Sequence, residues 1–458
     1  MRQGNSTGHK ALRLRIAFVV HQFLPRHAAG TEQLTLKIAK AMSARGMDVV
    51  IVAAEPTSNA VPSITQDSVD GVLVLRLQAI AIHDPFVSIR NEKADALLYE
   101  ALESVSPDVV HVIHFSHVGI GVIDVADALR LPLVFTATDF WWRCPLERLQ
   151  LPNGARCAGP GLFGAACLRH RLALHYSPET LAARAYAAVP SWVYAFLSLA
   201  ARGLSSLFPF AMRAAELSRR QEQLRLYARR IELSLAPTPA VREEMLAAGF
   251  QPDSVRLLPF GIEVPEAGHS KNSQRPFTIG FVGTLRPHKG AHFLLEAASR
   301  LPAGTEAKIQ IYGDRQTDAA YTQTLDDLAR ASAVPVTFEG AFAEGQFGRV
   351  LSGLDVVVVP SLWMENRPLV LLSSLASRKP VIVTDQPGLT CEVEHGKNGL
   401  IVPPDDPEAL AKSLHQLACD PSLLERLASH PKRPMRMEIY IDALQAIYRE
   451  VAYSTRSE

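Results

Sequence analysis

Short runs that are apolar along their whole length alternate with helical stretches through most of this chain, and they fall into two separate sets. IAFVV (16–20), DVVIVAA (48–54), VLVLRL (72–77), DVVHVI (108–113) and PLVFTAT (132–138) form the first. TIGFVG (278–283), KIQIYG (308–313), VTFEG (336–340), VVVVP (356–360), VIVT (381–384) and GLIV (399–402) form the second. A strand that is apolar throughout, rather than at every other position, is buried on both faces. Helices between such strands, as over 31–45 and 91–104, imply parallel sheets with right-handed crossovers. The expected class is α/β, with two Rossmann-like, doubly wound domains. Such sheets bind ligands outside the carboxyl ends of their strands, so two of them put a cleft between two binding edges. Two domains of unrelated function would show the same rhythm, and only motifs separate the cases.

A stretch near Gly261–Gln274, rich in Gly, Pro, Ser and charge, divides the sets. It sets a first domain over 1–262, with a helical insertion at about 160–232, and a second over 275–430. The chain of 458 residues is long enough for both cores. Lys and Arg total 47 against 46 Asp and Glu, which argues against bulk attraction to nucleic acid. Five cysteines do not look like a secreted disulfide framework. The opening MRQGNSTGHKALRLR lacks the apolar run and cleavage site of a signal peptide. A cytoplasmic location is expected.

Two loops after strands suit phosphate. In PRHAAGTEQLTLKIA (25–39), Ala28-Ala29-Gly30 opens a helix whose first N–H groups and dipole favour an anion. It has no GxGxxG, so the nicotinamide fingerprint is absent. In FVGTLRPHKG (281–290), Arg286, His288 and Lys289 precede Gly290 and a new helix, and two fixed cations suit a diphosphate. Lys289 is expected on an exposed loop; a solvated basic loop reads the same way. A third segment, PSLWMENRPLVLL, places Glu365 ahead of a helix that Pro368 is fitted to begin. The N–H groups of Leu369 and Val370 then lead that helix, and Glu365 can accept bonds from sugar hydroxyls.

Taken together, PRHAAGTE, SPDVVHVIHFSH, TATDFWWRCP, LAPTPAVREEMLAAGF, FVGTLRPHKG, DVVVVPSLWMENRPLVLL and PVIVTDQPGLTCEVEHGKNGLIVPPDD resemble family 4 of the retaining glycosyltransferases, which have the GT-B fold. The resemblance runs from about residue 14 to 450. It implies a nucleotide-sugar donor, UDP- or GDP-linked, bound by the second domain, with no cofactor and no bound metal, and a sugar or lipid-linked sugar acceptor bound by the first. It implies that Lys289, Arg286 and Glu365 carry the chemistry. Gly30, Gly283, Asn366, Leu369, Val370 and Ser373 would join Lys289 and Glu365 around the donor, and His114, Thr138 and Asp139 would face the acceptor. The last helix, MEIYIDALQAIYREV (437–451) within 431–458, resembles one that crosses back to the first domain. Two positions depart from the pattern. The family's second acid, eight residues after Glu365, is Ser373, and the histidine expected before Asp139 is Thr138. A nucleotide-sugar-binding protein without catalysis, or a nucleotide-sugar epimerase of the same fold, are the alternatives.

Two features lie outside these motifs. Cys144, Cys157, Cys167 and His170 could bind structural zinc, or be reduced thiols near a turn. Residues 185–210 are strongly apolar but interrupted, too short for a membrane span, and run into a stretch holding six arginines against two glutamates over 212–230. Leu217, Leu224, Tyr227, Ile231 and Leu235 can share one helical face. An apolar hairpin beside a basic helix suits an anionic membrane surface; a buried helix pair in an enlarged acceptor domain suits the same sequence.

Overall fold

The computed structural model describes residues 14–454 except 57–60, 81–83, 85, 87, 152–153, 174–180, 182–184, 186–187, 205–208, 265–275 and 431. Most of the opening segment, and most of the stretch read as a linker, therefore lie outside the described residues.

Two sheets carry the chain. The first has the order β3-β4-β2-β1-β5-β6-β7-β8. Its strands are β1 (Arg15–Val20), β2 (Asp48–Pro56), β3 (Ser63–Val69), β4 (Val72–Ile80), β5 (Val109–Val112), β6 (Leu133–Thr136), β7 (Leu233–Ala236) and β8 (Val255–Leu257). The second has the order β11-β10-β9-β12-β13-β14. It is built from β9 (Phe277–Val282), β10 (Ala307–Tyr312), β11 (Val336–Gly340), β12 (Val356–Val359), β13 (Val381–Thr384) and β14 (Gly399–Val402). Every pairing is parallel except β3 with β4. β3, β7 and β8 were not among the strands expected. β3 reads SITQDSV and lies at a sheet edge, largely exposed. Asp70 and Gly71, both at positive φ (49° and 82°), turn it into β4, the Asp-Gly signal for a two-residue hairpin.

Both sheets change direction beside their first strand. β1 pairs with β2 on one side and β5 on the other, and β9 pairs with β10 and β12. The loops after β1, β5, β9 and β12 thus leave from two topological switch points, where such sheets bind ligands.

The domains are tied in two ways. The chain crosses at Ile262 and Arg436, which form a bridge: Ile262 N–H donates to Met435 O (3.0 Å) and Met437 N–H to Ile262 O (2.9 Å). The helix Met437–Ser454 then packs on the first domain, with Tyr440, Ile441, Leu444 and Tyr448 in its core. There Tyr448 Oη lies 2.5 Å from His111 Nδ1, and Thr136 Oγ1 lies 2.7 Å from His111 Nε2. The second tie is Met364, which follows β12 yet is buried in the first domain's core with Trp363 packed beside it.

The arginines of the insertion do not share one role. Arg220 points inward, 3 % exposed, over the Trp141 ring (5.0 Å) and donates to Trp141 O. Arg230 is paired with Asp124 and Asp127. Arg219 and Arg229 remain exposed. The helix ends at Ala228, and Leu235 belongs to β7, so the proposed common face breaks there. The apolar helix Ser191–Leu204 is two-sided: Tyr194 and Ala201 pack into a small core, while Trp192, Phe196, Leu197 and Leu199 are exposed at 70, 66, 47 and 45 %. Among the described residues, no helix is long and apolar enough to cross a membrane.

Candidate active site

The loops after β9 and β12 are locked backbone to backbone. After β9, Pro287–Lys289 forms one turn of 3-10 helix, and Gly290 leaves it at φ +76°. A side chain at 290 would start 1.9 Å from Pro360 O, so glycine is required by both conformation and contact. Leu362 N–H donates to His288 O (2.9 Å). On the far side, a side chain at Gly388 would start 1.8 Å from Glu365 O.

Glu365 is 4 % exposed, and its Oε1 accepts from Lys289 Nζ (2.7 Å) and Ser361 Oγ (2.6 Å). Lys289 is therefore not on an exposed loop. Its side chain is a quarter exposed, paired with Glu365 and set 4.8 Å from the centre of the Trp363 ring. Arg286 is more open, 3.7 Å from Asp318. Pro368 is extended (ψ 129°) and caps the helix Leu369–Ala376 rather than starting it. Leu371 and Leu372 donate to Pro368 O, which leaves the N–H groups of Leu369 and Val370 leading the helix. Ser373 lies one turn further on, 5 % exposed. Arg367 is structural: it pairs with Glu392 and donates to Phe260 O. Asn366 Nδ2 donates to Ala137 O (2.9 Å) in the first domain, while its Oδ1 is buried without a protein partner among the described residues. Gly283 meets only ordinary contact, Phe281 at 3.6 Å.

On the first domain, Gly30 begins the helix Gly30–Ala44, and among the described residues nothing apart from its chain neighbours and its own helix backbone stands within 4 Å of where a side chain at 30 would start. Thr138 does not leave Asp139 without an imidazole. Its hydroxyl donates to Ile113 O (2.8 Å), and His114, at the end of the neighbouring strand, brings Nε2 to 2.5 Å from Asp139 and 3.8 Å from Glu147. Burial disfavours the charge on His114, but Asp139 and Glu147 outweigh it and pull its pKa up to about 9. Ser116 N–H, however, donates to His114 Nδ1 (3.0 Å). That bond fixes the Nε2–H tautomer, so a second proton needs the Ser116 turn to move. His21 stacks on His114 at 3.8 Å and lies 3.4 Å from Glu32, which is fully buried. Burial, then His114, His117 and His27, hold His21 well below its ordinary pKa.

His21, Glu32, Glu147, Arg148, Ser361, Trp363 and Gly388 were not among the expected site residues, and His288 was noted only as part of the basic loop. Glu32 had a readable cue, an acid in the first turn of the helix that Gly30 opens. The cysteines and His170 do not assemble: among the described residues, no group of three or more His, Cys, Asp or Glu could hold a metal. Burial pushes the Cys167 thiol up to about 12 and His170 down to about 4.

Comparison with known proteins agrees with this geometry. The profile "Glycosyl transferase 4-like domain" matches residues 29–171 and "Glycosyl transferases group 1" matches 276–420. The chain belongs to the GT-B glycosyltransferases of the family 4 type. Alpha-D-kanosaminyltransferase of Streptomyces kanamyceticus is 29% identical over 182 residues, 39% of this chain and 46% of that protein. D-inositol 3-phosphate glycosyltransferase of Corynebacterium urealyticum is 34% identical over 148 residues, 31% of this chain and 35% of that protein. The chain thus spans less than half the length of these curated relatives. Two solved structures share the fold at 16% identity: Anabaena HepE with UDP and glucose (TM-score 0.64, 95% of this chain, 100% of that one) and sucrose-phosphate synthase of Thermosynechococcus elongatus (TM-score 0.66, 96% and 100%).

Proposed function

We propose that this glycosyltransferase moves a sugar, with retention, from a nucleoside-diphosphate sugar to a hydroxyl of a sugar or lipid-linked sugar acceptor, in cell-envelope, lipopolysaccharide or exopolysaccharide synthesis. The observation that carries the reading is the Lys289–Glu365 pair, which joins the loops after β9 and β12 at the second sheet's switch point just ahead of the helix Leu369–Ala376. When the bond to the anomeric carbon breaks, negative charge grows on the diphosphate. Lys289, Arg286 and the amides of Leu369 and Val370 stabilise that charge more than the bound donor, which is how binding becomes rate. Glu365 accepts from hydroxyls of the transferred sugar, and His114 with Asp139 faces the acceptor hydroxyl. That HepE was crystallised with UDP and glucose favours UDP as the first donor base to try. Incubation with a panel of UDP- and GDP-sugars, read for transfer, epimerised sugar or binding without turnover, decides among transferase, epimerase and binding protein.

Ser373→Glu is expected to tighten UDP binding about ten-fold, because a carboxylate at that place accepts from both ribose hydroxyls. Buried carboxylate without ligand should also lower the melting temperature of the free protein, and UDP should restore it. Calorimetry that shows unchanged or weaker affinity places the ribose elsewhere.

The acceptor side is proposed to dock on the inner face of the cell membrane through the exposed apolar face of Ser191–Leu204, not through the arginine helix. Trp192→Ser with Phe196→Ser is expected to abolish co-sedimentation with anionic vesicles, whereas Arg219→Gln with Arg229→Gln only weakens it. Sedimentation of the Trp192/Phe196 variant at wild-type level would remove this part of the reading.

A further inference from the structure

The turn that carries Lys289 is held by a side chain of the opposite domain. Arg148 Nη1 lies 3.2 Å from His288 Nδ1. A guanidinium has donors only, so Nδ1 must accept and the ring proton must sit on Nε2. We infer that His288 donates this Nε2–H to the diphosphate of the nucleotide-sugar, and that Arg148 is the positioning residue that keeps the ring neutral and so oriented. The inference rests on the donor-site reading above and adds a residue to that site.

Four observations support it. First, the ring is fixed on its other sides. Its edge meets Trp363 (centroids 5.2 Å apart, planes at 72°), and its carbonyl accepts from Leu362. Second, among the described residues the ring's hydrogen bond is the one at Nδ1, so Nε2 stays open to a ligand, and it leaves from the same one-turn helix as Lys289 Nζ. Third, the charges suit a neutral donor. Burial, then Lys289, Arg148 and Arg286, lower the His288 pKa to about 3. A third cation there would be repelled, whereas an uncharged N–H adds a directed bond to a growing anion at no such cost. Fourth, Arg148 is placed to report on the acceptor side. Its neighbours Glu147 and Leu149 both hold left-handed backbone (φ 66° and 49°). Glu147 belongs to the His114 cluster, so one peptide bond separates a contact in the acceptor cluster from a contact on the donor turn. Gln150, two residues on, donates to Leu362 O (3.0 Å) and braces the same loop.

The test is calorimetry with UDP and with GDP on wild type, R148M, R148Q, H288A and R148M/H288A. R148M and H288A are each expected to weaken binding of the preferred nucleotide about ten-fold. The double variant should be no weaker than the poorer single one, because the two residues act through one bond. R148Q, whose amide can also donate to Nδ1, should recover most of the loss; a packing or charge role for Arg148 would leave R148Q as poor as R148M and overturn the inference. So would losses that simply add, or an H288A protein that binds like wild type. H288A alters only a partly exposed turn, so it keeps the question answerable if an Arg148 variant is unstable. Wild type that binds neither UDP nor GDP would overturn the donor reading itself. Wild type that binds, with variants unaffected, overturns only the role given to His288 and Arg148.

Discussion

Lys289→Ala is expected to lower kcat/KM by about a hundred- to a thousand-fold, the cost of one charge-assisted contact that strengthens as the diphosphate departs, roughly 2–4 kcal/mol. The structure adds a second effect. Lys289 Nζ is one of two donors on the buried Oε1 of Glu365, and its loss leaves Ser361 alone there. A buried acceptor stripped of a partner costs roughly 1–3 kcal/mol, the lower end applying because the lysine is partly exposed. Melting temperature should therefore fall by a few degrees, and UDP affinity should fall with it. Lys289→Ala with Glu365→Gln should recover the stability but not the rate, since the amide needs no cation. Near-normal turnover of Lys289→Ala at saturating donor would remove Lys289 from the chemistry.

Gly290→Ala is expected to be nearly as damaging although residue 290 touches no substrate. The left-handed conformation costs an alanine roughly 1–2 kcal/mol, and its Cβ would stand 1.9 Å from Pro360 O. The Lys289 turn must then move away from the loop that holds Glu365, and a shift of about 1 Å between catalytic groups can cost about a hundred-fold in rate. The loss should fall on kcat more than on folding, because the strain relaxes by parting two loops and not by opening a core. A variant with wild-type kcat and only a lower melting temperature would show that the spacing of Lys289 and Glu365 tolerates the shift.

The second sheet was legible strand by strand because parallel strands covered on both faces carry no polar interruption, and VVVV (356–359) and VIVT (381–384) admit no other reading at that length. β3 escaped for the opposite reason: SITQDSV is mostly polar on an exposed edge, and its best cue was the Asp70-Gly71 turn after it. Within the site, a residue's place could be read where it depends on the chain next to it, as with Glu365 ahead of its helix. Residues whose role depends on a partner across the cleft could not. Arg148 and His288 are 140 positions apart, and nothing local marks either as half of a pair. The arginine helix shows the same limit. A count of charges gave its sign, but only packing decides that Arg220 turns inward onto Trp141 while Arg219 faces outward.

The two bonded crossings at Ile262 and Arg436 restrict how this molecule can open. A domain held by two neighbouring crossings, bonded to each other, is more restricted in how it can turn than one on a single tether. Met364 in the opposite core, Asn366 on Ala137 and Arg148 on His288 are three contacts between the domains that any such turn has to break or keep together. The contacts that hold the two loops of the candidate site against the first domain are therefore bound to the same pair of crossings, and a change at one of them bears on the rest.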